Sequence, residues 1–345
     1  MKKYLSIALC LLMLLGIMSG CAAEPPADHP GNVTSENDPT DIPAGETLSI
    51  VTTIFPEYDW VMQLLGDKAE QAEVTMLLDN GVDLHSYQPT ADDIVKISTC
   101  DMFVYVGGES DEWVEDVLSE AQNKDMIVVN LLEALGDAVK EEEIKEGMQE
   151  DEHEHEEDEE EHDHEEVEYD EHVWLSLKNA AVLCRHIADK LGQIDTANKT
   201  AYDANAEAYI EKLNALDAEY KAAVSAASVK TLLFGDRFPF RYLTDDYGLD
   251  YYAAFVGCSA ETEASFETIV FLANKVDELD LHAIMQIESA DGKIARTIKE
   301  STASKDQAIL TMDSMQSTTS ADVANGASYL TIMEQNLAVL AEALK

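Results

Sequence analysis

Short apolar runs alternate with amphipathic segments along most of the chain. The apolar runs predict buried strands, in two sets on either side of a long helical stretch: TLSIVTTI (47–54), AEVTMLL (72–78), DMFVYVGG (101–108), DMIVVNLL (125–132), KTLLFGD (230–236), LDYYAAFVG (249–257), LHAIMQIES (281–289) and DQAILTMDS (306–314). Segments between them, such as YDWVMQLLGDKA, have the apolar spacing of helices. This alternation is typical of α/β folds in which helices cover parallel sheets.

The segment between the two sets of strands has the composition of a single long helix. Residues 196–228 contain no Gly or Pro, and good helix formers dominate there. About 30 helical residues span roughly 45 Å at a rise of about 1.5 Å per residue. We therefore expect a rigid linking helix at 195–228, between an N-terminal lobe at 47–194 and a C-terminal lobe at 229–345.

The first residues have the pattern of an export signal. Two lysines precede a compact apolar run, and MSGC (18–21) resembles a bacterial lipobox. That resemblance implies a signal peptide at 1–20 and lipid on Cys21, which would hold the protein outside the cytoplasm on the cell membrane. Residues 21–46 hold five of the eight prolines and predict a flexible tether. A plain secretory signal or an anchoring helix is the alternative.

Charge and cysteine content narrow the possible ligands. The formal net charge is −48, which excludes nucleic acid as a natural partner and favours cations. With Cys10 removed and Cys21 lipidated, Cys100, Cys184 and Cys258 remain, and their spacing matches no zinc ribbon.

The segment at 141–169 is dominated by acidic residues and contains four closely spaced histidines: His153, His155, His162 and His164. A block of like charge without apolar residues cannot bury enough surface to order itself. We interpret it as a disordered loop that collects metal ions with low affinity, and a loop that only aids solubility is the alternative.

Two further histidines lie where a folded scaffold can support them. His85 is in a turn-rich loop, LLDNGVDLHSYQPTADD (77–93), between a predicted strand and a helix. Loops of this kind are where α/β folds place ligands. His172 directly precedes the apolar stretch VWLSL, which must be buried. Such support is what a fixed metal ligand requires.

These motifs resemble those of a known family. GVDLHSYQPTADD is similar to the Gly-x-Asp-Pro-His-x-Tyr-x-Pro-Thr loop of the zinc and manganese substrate-binding lipoproteins of ATP-binding-cassette importers, and DEHVWLSLKNA is similar to their Asp-Pro-His-x-Trp-Leu-Ser-Pro motif. The acidic histidine-rich run matches the extra loop of the zinc-type members. The resemblance implies two (β/α) lobes joined by a long helix, with one metal ion in the cleft between them.

The resemblance also implies a ligand set. His85 and His172 carry over as first-lobe ligands, and Asp313 as a second-lobe ligand. The family's zinc binders have another His at the position that alignment gives to Arg237, and its manganese binders have a Glu there. A guanidinium cannot donate an electron pair to a metal ion.

Several groups could replace the missing ligand. Asp236 and Glu263 are slightly favoured, and Glu261, Cys258 or water are the alternatives, although Cys258 also suits a small packed residue. In another interpretation Arg237 pairs with Asp313 or Glu288, and the cleft then holds no tight metal. Glu288 is otherwise expected to support a ligand or to pair with Lys293 or Arg296.

The resemblance predicts an extracytoplasmic receptor, a monomer, that captures Zn²⁺, or alternatively Mn²⁺, for a membrane permease. Two imidazoles with carboxylates suit Zn²⁺ best, and their affinity should fall below about pH 6. Neither HExxH nor GxSxG occurs, so an enzyme is not expected. The other hypotheses are a lipid-anchored metal buffer or adhesin, and a receptor for a metal complex or anion held by Arg237.

Overall fold

The computed structural model describes residues 47–149, 168–259 and 263–345. The predicted signal peptide, Cys21 and the tether lie outside these residues. The first sheet consists of β1 (Leu48–Thr52), β2 (Ala72–Met76), β3 (Met102–Tyr105) and β4 (Ile127–Asn130). All pairings are parallel, in the order β2-β1-β3-β4. The α-helices of this half are α1 (Phe55–Leu65), α2 (Ala91–Thr99), α3 (Trp113–Ser119) and α4 (Leu131–Leu135).

Two helices separate the sheets along the chain, α5 (Leu177–Ile194) and α6 (Lys199–Ala226). The predicted linking helix is present as α6, with 28 residues. Its tyrosines reach elements of both halves: the Tyr209 hydroxyl donates to Asp59 of α1 at 3.2 Å, and the Tyr220 hydroxyl donates to the Met333 carbonyl at 2.6 Å. The helix is therefore bonded to both halves of the molecule.

The second sheet repeats the architecture of the first. Its strands are β5 (Thr231–Phe238), β6 (Asp250–Val256), β7 (Ala283–Ile287) and β8 (Ala308–Met312), all parallel in the order β6-β5-β7-β8. Its helices are α7 (Arg241–Tyr247), α8 (Phe266–Glu278), α9 (Lys293–Ser301), α10 (Ser320–Ala324) and α11 (Tyr329–Ala343). The α/β class with two parallel sheets is thus confirmed. The exact lobe boundaries stay a prediction.

One large apolar core joins the two halves. It includes Trp60 of α1 and Tyr329 of α11, whose rings meet edge to face with centroids 5.2 Å apart. Among the helices within the described ranges, none combines the length and apolar character that a bilayer crossing requires.

The prediction of disorder over 141–169 is wrong at both ends of that segment. Glu141 forms an antiparallel bridge with Tyr169, and the Gln149 amide donates to the Ala254 carbonyl at 2.9 Å. The Glu143 carboxylate accepts from Arg241 and from the Tyr251 hydroxyl, each at 3.0 Å. Cations and hydroxyls of the second half thus order acidic residues that the charge pattern alone predicts to be solvated. The four histidines of this segment lie outside the described residues.

Candidate metal centre

The turn that carries His85 follows β2 and is fixed on both sides. His85 lies in a short 3-10 turn, Leu84–Ser86, and the Asp83 carboxylate accepts from the His85 amide at 3.1 Å. Leu84, which stands where the family resemblance places a proline, is buried. Beyond the turn, Thr90 and Asp93 form a reciprocal cap that starts α2. A buried side chain and caps therefore hold the loop without the proline.

The turn that carries His172 is buried completely. His172 precedes the 3-10 turn Val173–Leu175, all of which is buried. The Asp170 carboxylate accepts from the His172 amide at 2.9 Å and lies 3.1 Å from its Nδ1. Glu171, in the position of the family's second proline, accepts from the Ser110 amide at 2.8 Å. This carboxylate ties the turn to the loop after β3.

Although His172 precedes α6 in sequence, the second half of the chain holds its turn. The Trp174 indole donates to the Ser314 carbonyl at 2.9 Å, and the Tyr329 hydroxyl donates to the Trp174 carbonyl at 2.6 Å. The Tyr242 hydroxyl donates to the Asp170 carbonyl at 2.8 Å. His172 therefore belongs to the first lobe by sequence, but its turn also makes several contacts with the second half.

The two imidazoles converge. His85 Nε2 lies 3.2 Å from His172 Nε2, while His85 Nδ1 lies 2.7 Å from the Ser110 hydroxyl. Since both Nδ1 atoms have polar partners, both Nε2 lone pairs are free to face the same point. Two nitrogens bound to one tetrahedral zinc ion are about 3.3 Å apart. The observed separation therefore fits a shared ion.

Burial sets the protonation state of His85. Desolvation, followed by the neighbouring charge of His172, lowers the pKa of His85 to about 3. The imidazole is therefore in its neutral, ligating form at pH 6. The predicted loss of affinity below about pH 6 does not apply to this residue, because a proton competes for His85 only in much stronger acid.

Cys258 is the third potential ligand at this point. One ring nitrogen of each histidine and the Cys258 sulfur all lie within 4.8 Å of one another. Burial, and then the charges of Asp170 and Glu171, raise the pKa of the Cys258 thiol well above its usual range. The structure thus brings together His85, His172 and Cys258.

Asp313 does not belong to the group found among the described residues, and its role as a ligand stays a prediction. It follows β8, and its carboxylate accepts from the Met315 amide at 2.8 Å. Burial and the charge of Glu288 raise the pKa of Asp313 to about 7. Glu288 accepts from the amide and the hydroxyl of Ser314 at 2.7 and 2.9 Å, so the expected pairing of Glu288 with Lys293 or Arg296 is wrong.

Arg237 has a different partner from those expected. Its guanidinium pairs with the Asp83 carboxylate, and its Nη1 donates to the Ser259 carbonyl at 3.4 Å. The predicted pairing with Asp313 or Glu288 is therefore wrong. Asp83 and Arg237 are 154 residues apart in sequence, and their contact joins the His85 turn to the end of β5.

The two favoured replacement ligands are engaged elsewhere. The Asp236 carboxylate accepts from the Ile287 amide at 3.1 Å and from the Arg237 amide at 2.9 Å. Glu263 pairs with Lys293 at 3.0 Å on the exposed surface. Neither residue belongs to the group that His85, His172 and Cys258 form among the described residues, and the preference for Asp236 and Glu263 stays a prediction. Glu261 lies outside the described residues.

An acidic cavity of about 410 Å³ adjoins the centre. Besides His85 and Cys258, it is lined by the carboxylates Glu109, Glu112, Glu142, Glu168 and Glu171. A concave surface with this charge raises the local concentration of cations. Sequence reasoning missed these residues, because they come from three separate loops. The Asp83-x-His85 and Asp170-x-His172 spacings were the local signals for supporting carboxylates.

Comparison with known proteins places the chain in a family. Residues 50–343 match the family described as "Zinc-uptake complex component A periplasmic" (ZnuA). The zinc-binding lipoprotein AdcA of Streptococcus pneumoniae is 34% identical over 293 residues, which are 85% of this chain and 55% of AdcA. The chain thus spans about half the length of that relative. The high-affinity zinc uptake system protein ZnuA of Bacillus subtilis is 32% identical over 300 residues, 87% of this chain and 88% of ZnuA.

A solved structure agrees with the sequence comparisons. The crystal structure of the Zn(II)-bound ZnuA-like domain of Streptococcus pneumoniae AdcA has a TM-score of 0.67 and 30% identity, and the match covers 86% of this chain and 99% of that domain. Family match, sequence identity and fold lead to the same assignment. The chain belongs to the ZnuA family of zinc-uptake complex components.

Proposed function

We propose that this protein is an extracytoplasmic receptor, lipid-anchored through Cys21, that captures Zn²⁺ in its cleft and delivers it to the membrane permease of an ATP-binding-cassette importer. One observation carries the proposal: two buried histidines direct their Nε2 atoms at a shared point, 3.2 Å apart. The names of the relatives, zinc-binding lipoprotein and zinc uptake protein, support the choice of ion and the anchoring.

The chemistry of the site favours zinc over manganese. Imidazole nitrogen is a preferred ligand of Zn²⁺, whereas Mn²⁺ prefers oxygen ligands. The acidic cavity attracts cations of either kind, so selection depends on the histidines. The alternative of an anion held by Arg237 has less support, because the Asp83 carboxylate already neutralises that guanidinium.

Titration with Zn²⁺ tests the capture step. We expect His85→Ala and His172→Ala each to weaken tight Zn²⁺ binding by at least about 100-fold, since each removes one of a few zinc ligands. His282→Ala is the matched control, because His282 is exposed and lies just before β7, whereas His85 and Cys258 follow their strands at the other end of the parallel sheets. Unchanged binding in both cleft variants would overturn the proposal.

Growth on low zinc tests delivery. A host strain lacking its own zinc receptor should recover when it expresses the wild-type chain, but not the His85→Ala/His172→Ala double variant. A metal buffer or adhesin would bind Zn²⁺ in the titration and fail to restore uptake. Uptake of radioactive ⁶⁵Zn by the same cells separates these outcomes.

A further inference from the structure

We propose that the Cys258 thiolate is the third protein ligand of the captured ion. It would convert the centre into a two-histidine, one-cysteine site that prefers zinc and softer ions to manganese. The inference rests on the proposed function and deepens it, because it identifies the group that replaces the ligand lost at Arg237.

The geometry brings the sulfur within reach. Ring nitrogens of His85 and His172 and the Cys258 sulfur all lie within 4.8 Å of one another. A tetrahedral zinc ion with bonds of about 2.0–2.1 Å to nitrogen and about 2.3 Å to sulfur separates these ligand atoms by about 3.6 Å. Each nitrogen–sulfur separation therefore exceeds that spacing by no more than about 1.2 Å.

The backbone before Cys258 lies very close to the His172 ring. A β-carbon at Gly257 would lie 3.0 Å from His172 Cε1 and 2.9 Å from the Phe238 carbonyl oxygen. Both contacts are tighter than ordinary packing, so a glycine is required for this strand end to touch the imidazole. The Cys258 amide donates to the Glu142 carboxylate at 3.2 Å, which fixes the next residue. The end of β6 is thus held against the metal centre.

Arg237 supports this arrangement although it cannot bind the ion. Its guanidinium pairs with Asp83, two residues before His85, and donates to the carbonyl of Ser259, one residue after Cys258. β5 and β6 are neighbouring strands, with Arg237 paired to Phe255 in register. One side chain therefore links the turn that carries His85 to the turn that carries Cys258.

Sulfur ligation has a chemical consequence. When the ion binds, an S–metal bond replaces the S–H bond and the proton leaves to solvent, so no oxidant or reductant is required. Thiolate is a soft ligand that favours Zn²⁺, Co²⁺ and Cd²⁺, whereas Mn²⁺ prefers carboxylate and water. Cys258 thus supplies discrimination that two histidines and a carboxylate lack.

Cobalt substitution tests the proposal directly, because Zn²⁺ itself is spectroscopically silent. We expect the full chain loaded with one equivalent of CoCl₂ to show a thiolate-to-cobalt charge-transfer band in the near ultraviolet. Cys258→Ser should abolish the band, and changing any of the other cysteines singly to Ser should leave it. The acidic histidine-rich segment contains no cysteine and cannot produce the band.

Metal affinity provides the second readout. Cys258→Ser should weaken Zn²⁺ binding by about 100-fold and Mn²⁺ binding by less than about 3-fold, since serine preserves size and removes the soft ligand. A band that persists in Cys258→Ser, or wild-type Zn²⁺ affinity in that variant, would overturn the inference. If Cys258→Ser binds as wild type while His85→Ala does not, the receptor proposal stands and the sulfur ligand alone is rejected.

Discussion

Arg237, which cannot bind metal, occupies a position where the family resemblance predicts a ligand. The family pattern places a histidine or glutamate there, and in this chain the guanidinium pairs with Asp83 instead. Both side chains are largely shielded, with 12% and 19% exposed. A shielded pair that loses one partner leaves an uncompensated charge, so the contact is costly to break.

Restoring an imidazole at this position should make the cysteine dispensable. In the Arg237→His background, we expect Cys258→Ser to cost less than about 10-fold in Zn²⁺ affinity, against about 100-fold in the wild-type background, because a nitrogen ligand replaces the sulfur. Zinc titrations of the four chains form a double-mutant cycle. Equal costs in both backgrounds would show that position 237 and Cys258 do not compensate for each other.

The close packing around Gly257 leads to a second prediction at the residue scale. Gly257→Ala places a β-carbon against the His172 ring and the Phe238 carbonyl. We expect about 10-fold weaker Zn²⁺ binding and a loss of about 1–3 kcal/mol in stability, because neither neighbour can withdraw freely. Isothermal titration and urea unfolding measure the two effects.

The matched control is Gly192→Ala in α5, where the three atoms nearest to the new β-carbon all belong to the Lys199 side chain. It should retain wild-type zinc affinity. Loss of affinity in the control, or none in Gly257→Ala, would contradict the close approach described for β6.

Sequence reasoning reached some of these residues and missed others for a physical reason. His85 and His172 lie in local motifs, so the neighbouring residues were enough to predict them as metal ligands. The partner of Arg237 was not predictable, because Asp83 lies 154 residues away and meets it only through the fold. Cys258 was predicted only as an alternative ligand, because its proximity to both histidines depends on where the fold places the end of β6.

At the scale of elements, the turn after β3 contains a buried carboxyl group with an unusual protonation state. Asp111 is 3% exposed, and desolvation is the main cause that raises its pKa to about 7. In the unfolded chain the group titrates near pH 4. Between these pH values the folded state binds more protons than the unfolded state, so stability falls as pH rises.

Asp111→Asn should therefore reduce the slope of stability against pH. We expect the variant to be more stable than wild type at pH 8 by on the order of 2 kcal/mol, with little gain at pH 4, since the amide carries no charge to bury. Urea midpoints of the metal-free protein at both pH values measure this. Asp116→Asn, on the exposed face of α3, is the control, and equal slopes in wild type and Asp111→Asn would refute the assignment.

The strands were the most predictable elements. Seven of the eight apolar runs contain a strand of the structure, and β5 extends two residues beyond the eighth, because a buried parallel strand must be apolar on both faces. The beginning of the acidic segment was not predictable in the same way. Its order depends on contacts with Arg241 and Tyr251. These residues are distant in sequence from residues 141–149, so the local sequence does not predict the contacts.

At the scale of the whole molecule, we expect two classes of cation binding, one due to the acidic charge and one to the metal centre. We expect the acidic histidine-rich segment to collect ions weakly and the centre at His85 and His172 to bind one ion tightly. Because residues 141–149 contact the second half, a deletion that tests this division must begin after them.

Replacing residues 150–167 with a short Gly-Ser linker should lower the number of weakly bound Zn²⁺ ions and leave one tight ion. Apart from Val167, the replaced residues are all Asp, Glu or His, a composition that favours weak binding of several ions. Equilibrium dialysis over a range of Zn²⁺ concentrations counts both classes, and a chain of equal length with the histidines changed to Ser separates imidazole from carboxylate. Loss of the tight ion would contradict the division.

The anchoring of the His172 turn to the second half determines the order in which the ion would be released. Trp174 and Tyr329 keep that turn with β8 and α11, and Cys258 belongs to the same half, whereas His85 follows β2. If the halves separate, the contacts that part are the one between His85 and His172 and the bond from the Ser110 amide to Glu171. The ion would then remain bound to the second half by two protein ligands. Its release to a permease would proceed in steps, with one metal–ligand bond broken at a time.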